Sequence, residues 1–112
     1  VTGRTLSTAA TEVREKDLQK HVRTFAKQMG WKEHVTWLSM HSPRGWPDLT
    51  LYRQRPDGVG ELVCIELKTE KGKTTPYQDE WLAALATVPG VKWCGVVRPS
   101  GWFAGVLDDV LR

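Results

Sequence analysis

The 112-residue sequence has little cysteine, no long apolar run and no internal repeat. Each absence closes off a class. Its two cysteines, Cys64 and Cys94, lie in apolar, strand-like runs, outside any CxxC or Cys/His cluster. That leaves no basis for a disulfide framework or a zinc site, and both thiols read as reduced core residues of a cytoplasmic protein. No apolar stretch approaches the roughly 18 residues of a membrane span, and the N-terminus carries no hydrophobic leader, so no membrane partner is expected. Hydrophobic residues at 40% and charged residues at 26% are ordinary for a globular domain. The length suits one core without staples. A net charge of +3 permits an anionic partner without demanding one. The aromatic content is the unusual quantity: six Trp stand against two Tyr and two Phe. Most read as core, and a few as residues that stack on bases or line an interface.

Residues 1–10 are small and polar and read as a flexible N-terminal segment before one domain over residues 11–112. From about Thr11 to Met29, Leu18, Val22, Phe25, Ala26 and Met29 recur at helical spacing, and Gly30 follows as a C-cap. The same stripe projected backwards places Glu15 on the inward face. Arg14, Lys16, Lys20, Arg23 and Lys27 form a basic strip on the other. Residues 34–41 read as a first strand and residues 42–47 as a turn-rich connection. Asp48-Leu-Thr-Leu-Tyr52 alternates like a half-buried strand and pairs through the Asp57-Gly58 turn signal with residues 61–68. A lysine-rich loop leads to a helix that starts at Thr75-Pro76, with Thr75 and Gln78 spaced as a capping box. Residues 91–97 read as a further core strand, and the tail as a strand or turn followed by a short helix. The order α-β-β-β-α-β with a final small element predicts an α/β or α+β fold, a mixed β-sheet flanked by helices.

Chemistry concentrates where the strand Leu62-Val-Cys-Ile-Glu-Leu-Lys68 interrupts its apolar run. Alternation puts Glu66 and Lys68 on one face and Leu67 on the other. A hairpin with the preceding strand brings Asp48 towards them, if the register allows. Taken singly, Asp48 reads equally as a turn acid, Glu66 and Lys68 as a solvated strand end, and Lys71 and Lys73 as loop charges. Taken together, two carboxylates and a strand carbonyl form the oxygen donor set of Mg²⁺ or Mn²⁺, and an adjacent lysine suits phosphodiester hydrolysis. His41 and Ser42 lie beside the turn as weaker candidates, and His21 and His34 show no ligand spacing.

Gly45-Trp-Pro-Asp48, Glu66-Leu-Lys68 and Thr75-Pro-Tyr-Gln78, in this order and spacing, resemble the VRR-NUC branch of the PD-(D/E)XK nucleases over the whole chain. The resemblance implies a restriction-endonuclease-like core of the stand-alone, viral or bacterial type. It implies that Asp48, Glu66 and the Leu67 carbonyl ligate Mg²⁺ or Mn²⁺, with Glu15 as a supporting acid from the first helix. Lys68 would activate the attacking water, and Gln78 would stand near the scissile phosphate. Arg44, Lys71 and Lys73 are the candidate DNA phosphate contacts. The implied activity is a structure-selective DNA endonuclease that resolves four-way (Holliday) junctions as a homodimer, with surplus Trp at the interface. The alternatives are a flap nuclease, a nicking or restriction-like nuclease on duplex DNA, and an inactive DNA-binding module.

Overall fold

The apolar stripe of the first half of the chain builds two helices, not one. In the computed structural model, which describes residues 6–37 and 44–112, α1 covers Leu6–Glu12 and α2 covers Glu15–Gln28. Arg14 between them is extended (φ −79°, ψ 153°). The break has a packing reason. Leu18, Val22 and Ala26 lie four apart and are fully buried, whereas Val13, five before Leu18, would leave that stripe in a continuous helix. The break lets Val13 pack against the same core. Residues 6–10, expected to be frayed, are helical. Glu15 and Asp17 occupy the first turn of α2, where acids favour the helix dipole. At the other end Gly30 (φ 88°) donates to Lys27 O and Trp31 N–H to Ala26 O, a glycine-closed helix end that turns Trp31 into the core.

Strand β1 is Lys32–Val35, β2 Leu49–Gln54, β3 Gly60–Leu67 and β4 Val91–Val97; helix α3 is Pro76–Leu85, α4 Pro99–Phe103 and α5 Asp108–Leu111. Among the described residues the strands form one mixed sheet in the order β1-β2-β3-β4. The first two pairings are antiparallel and β3–β4 is parallel. The first strand starts two residues earlier than the alternation suggests and ends at Val35, while Leu38–Met40, His41 and Ser42 lie outside the described residues. What anchors β1 is charge: Glu33 accepts from Arg23 Nη2 at 2.7 Å and pairs with Lys27 at 3.2 Å. Part of the basic strip of α2 is thereby spent inside the molecule.

The β2–β3 hairpin turns through Gly58 in the left-handed region, with Arg55 N–H donating to Val59 O at 2.8 Å. Beneath one face of the sheet, Leu49, Leu51, Val63, Ile65 and Leu67 pack against α2, with Leu107 and Leu111 from the tail. Each such side chain contributes roughly 1.5–3 kcal/mol on burial. The tail is two short helices and no strand. Arg53 holds it, donating to Met29 O, Leu111 O and Arg112 O while its guanidinium lies 4.3 Å from the centre of the Trp31 ring. Helix α3 covers the other face thinly, and none of its residues is fully buried.

The tryptophans are better housed than their number suggests. Trp31 is 4% exposed and donates to Leu111 O, and Trp93 and Trp102 pack on the core. Trp46 and Trp81 meet edge to face at 4.8 Å. Trp37 is the exposed one, at 78%. A surplus of Trp therefore does not point to an interface. Among the described residues no helix is long and apolar enough to cross a membrane.

Candidate active site

Asp48, Glu66, Lys68 and Gln78 meet at one end of the sheet, and the register explains why. The pairing Leu49↔Ile65, continued one step, sets Asp48 opposite Glu66, and a second step sets Pro47 opposite Leu67. Leu62 and Lys68 N–H groups donate towards β4 (to Gly90 O and Val97 O), so by alternation Leu67 turns its N–H and C=O towards β2. There the ladder fails, because Pro47 has no N–H to offer the Leu67 carbonyl. The Leu67 N–H is taken at 2.7 Å by Asp48 Oδ2. Asp48 and Glu66 thus form the close, non-hydrogen-bonded type of cross-strand pair, with side chains on one face. Thr36, absent from the sequence candidates, holds the turn: its N–H donates to Asp48 O at 2.8 Å and its hydroxyl to Pro47 O at 2.7 Å.

Glu66 is 1% exposed. Its Oε2 accepts from Gln78 Nε2 at 2.9 Å and lies 3.4 Å from Lys68 Nζ, while the buried Oε1 has no hydrogen-bond partner. Burial first, and then the Asp48 charge, push the Glu66 carboxyl up to about 8, against the opposing pull of Lys68. Glu15 does not lie on a buried stripe. It stands exposed at the first residue of α2. Its carboxyl end is nonetheless near the site, since desolvation and then Asp48 raise its pKa while Lys68 lowers it. Among the described residues no three His, Cys, Asp or Glu side chains are disposed to hold a metal ion together. The donors that do converge are two carboxylates and one carbonyl, a hard oxygen set.

Helix α3 is locked to this end by the turn before β2. Gly45 (φ 87°) runs so close to α3 that a Cβ would lie 2.4 Å from the Tyr77 carbonyl carbon and 2.6 Å from Gln78 N. Gln78 caps α3 and also contacts Glu66. Its Oε1 accepts from Thr75 N–H at 2.9 Å and its own N–H donates to Thr75 Oγ1, completing the capping box, while Nε2 reaches Glu66. Two substitutions separate these roles. Gln78→Glu keeps an acceptor for the cap but sets a second carboxylate against Glu66, so any activity resting on Glu66 should fall at least about tenfold. Gln78→Ala should also cost about 1 kcal/mol of stability through the lost cap. Paired melting and rate measurements check this, and a Gln78→Glu protein with unchanged activity would confine Gln78 to capping.

Lys71 and Lys73 are exposed on the loop after Lys68. That loop is pinned by Arg98, whose Nη1 donates to the carbonyls of Thr69, Glu70 and Gly72 at 2.8, 3.3 and 2.5 Å. Glu70 adds a carboxylate that accepts from Ser100 N–H at 3.0 Å. Nothing in the pattern around Arg98 signalled this. Arg44 is exposed, with its guanidinium 5.5 Å from the centre of the Tyr77 ring. Cys64 and Cys94 face each other across β3 and β4 as free thiols, and burial pushes Cys64 up to about 11. No family model, no curated protein and no solved structure matches the chain.

Proposed function

We propose that the chain is a Mg²⁺- or Mn²⁺-dependent endodeoxyribonuclease with a restriction-endonuclease-like fold, acting on branched DNA. One observation carries this: the buried Glu66, with an oxygen lacking any donor, set opposite Asp48 and beside Lys68. Burying a carboxylate so is costly to a fold that never neutralises it. Asp48, Glu66 and the Leu67 carbonyl would hold the cation, with Glu15 supporting them from the rim. When bound, the ion supplies charge neutralisation at the phosphate and a more acidic attacking water. Lys68 orients that water and donates to the phosphate oxygen on which negative charge grows. Gln78 fixes Glu66 through its amide. Arg44, Lys71 and Lys73 supply phosphate contacts that position the duplex and weaken as salt rises.

Resolving a four-way junction requires two symmetric cuts, so a chain with one such site would work as a two-fold homodimer. The test is incubation with supercoiled plasmid and a synthetic four-way junction in Mg²⁺, Mn²⁺ or EDTA. Cleavage is expected with either metal and not with EDTA, faster on the junction than on linear duplex. Lys68→Ala should reduce it at least about a hundredfold and leave metal binding by calorimetry in place. Failure of the folded protein to cut in any metal sinks the enzyme and leaves a DNA-binding module. Light scattering decides the assembly: a monomer that cuts single strands selects the flap or nicking alternative, which the tryptophan burial leaves open.

A further inference from the structure

Between α3 and the turn that carries Arg44 lies a groove of about 450 Å³ lined by Arg44, Tyr77, Glu80, Trp81 and Ala84. We propose that it is a stacking site for an unpaired nucleobase next to the cleaved phosphate. The proposal rests on the nuclease function proposed above and specifies its substrate. Tyr77, on the first turn of α3, is 50% exposed, whereas Trp81, Leu82 and Leu85 further along the helix are partly buried. Half of the ring is open to solvent, and the Arg44 guanidinium lies 5.5 Å from its centre. Trp81, one helical turn on, shares its side of the helix, is half-buried, and is braced by the edge of Trp46. Ala84, a further turn along, leaves room. The floor of the groove is therefore aromatic and its far end small.

Its polar walls narrow the ligand. Arg44 offers donors above the Tyr77 ring and Glu80 offers acceptors. A phosphate would be repelled by Glu80, whereas the edge of a base carries both amino donors and carbonyl or ring-nitrogen acceptors. Location supplies the rest. The chain neighbour of Tyr77 is Gln78, which touches Glu66, and the chain neighbour of Arg44 is Gly45, which presses on the α3 backbone. A base held here belongs to a nucleotide beside the reacting phosphate. Intact duplex has no free base to offer, but a flap, a gap or the crossover of a junction does. Stacking on an aromatic ring is tolerant of base identity, so the groove selects structure and not sequence.

The test uses the full chain in Ca²⁺ buffer and a gapped duplex with one unpaired 2-aminopurine, with a fully paired duplex as comparison. Stacking should quench the 2-aminopurine. Tyr77→Leu should abolish the quench and weaken binding to the gapped duplex by about tenfold relative to the paired one, and Tyr77→Phe should restore both. Melting curves confirm that each variant is folded. A Tyr77→Leu protein that quenches like its parent overturns the proposal. So does equal weakening on paired and gapped duplex, the signature of a backbone contact. The parent's cleavage of plasmid keeps the two ideas apart: cleavage without quenching refutes the stacking site alone, and failure of the folded protein to cut in any metal refutes the nuclease.

Discussion

Glu66→Gln should lose at least about a thousandfold in cleavage and yet yield a more stable protein above neutral pH in EDTA. The two effects share one cause. Glu66 is buried opposite Asp48, and its folded-state carboxyl titrates at about 8, well above the ordinary value of 4.5. The sign follows from proton counting. Between those values the folded state holds a proton that the unfolded chain has released, so stability falls as pH rises. The contribution is fully present below about 4.5 and gone above about 8. From pH 6 to 8.5 the loss is on the order of 2 kcal/mol, which in a domain of this size moves the melting temperature by roughly 10 °C. Glutamine carries no charge to bury, so the slope should flatten in Glu66→Gln. Mg²⁺ or Mn²⁺ should recover the loss in the parent at pH 8.5 and do little for the variant. A parent melting curve that is flat from pH 6 to 8.5, or a metal that stabilises both proteins equally, would remove Glu66 from the metal site. Asp48→Ala is the poorer probe, because it also strips the Leu67 N–H of its acceptor. Relief of carboxylate repulsion is offset there, and Asp48→Asn is the cleaner substitution.

The parts of this site that were legible from sequence are those governed by local periodicity. Strand alternation put Glu66 and Lys68 on one face, and the Asp57-Gly58 turn fixed a hairpin whose register carries Asp48 opposite Glu66. The capping box announced itself at Thr75 and Gln78, and its second use, on Glu66, followed from where the helix docks. Illegible features depend on depth or on distant contacts. A helical projection assumes one continuous helix, so it placed Glu15 on the inward side without showing the break at Arg14 that makes Glu15 the exposed first residue of α2. β1 is a sheet edge read by Arg23 and Lys27 through Glu33, and it has no apolar pattern to find. Tryptophan counts say nothing of where the rings go, and here Trp31 is sealed by the tail and Trp46 by Trp81. Arg98 gathers three carbonyls from a loop nearly thirty residues away in sequence.

Gly45 offers the sharpest structural test, because Gly58 serves as its control. Both have left-handed backbones, with φ of 87° and 89°. Alanine at either position meets the same backbone cost, about 1–2 kcal/mol. The surroundings differ completely. At Gly58 an added Cβ meets nothing within 4 Å, whereas at Gly45 it would strike the Tyr77 carbonyl carbon and oxygen at 2.4 and 2.5 Å and Gln78 N at 2.6 Å. Those are backbone atoms of the first turn of α3, so no rotamer change relieves the clash. Either the turn carrying Pro47 and Asp48 or the start of α3 must move; the first movement displaces Asp48 from its place opposite Glu66, and the second displaces Gln78 from Glu66. Gly45→Ala should therefore cost about 3 kcal/mol or more, well beyond Gly58→Ala, and any residual folded protein should lose most of its cleavage. Urea unfolding of both variants, with cleavage assayed at a temperature where each is folded, measures the difference. Equal losses at the two glycines would mean that the turn and α3 are not in contact, and the coupling between Asp48 and Gln78 across that contact would fall with it.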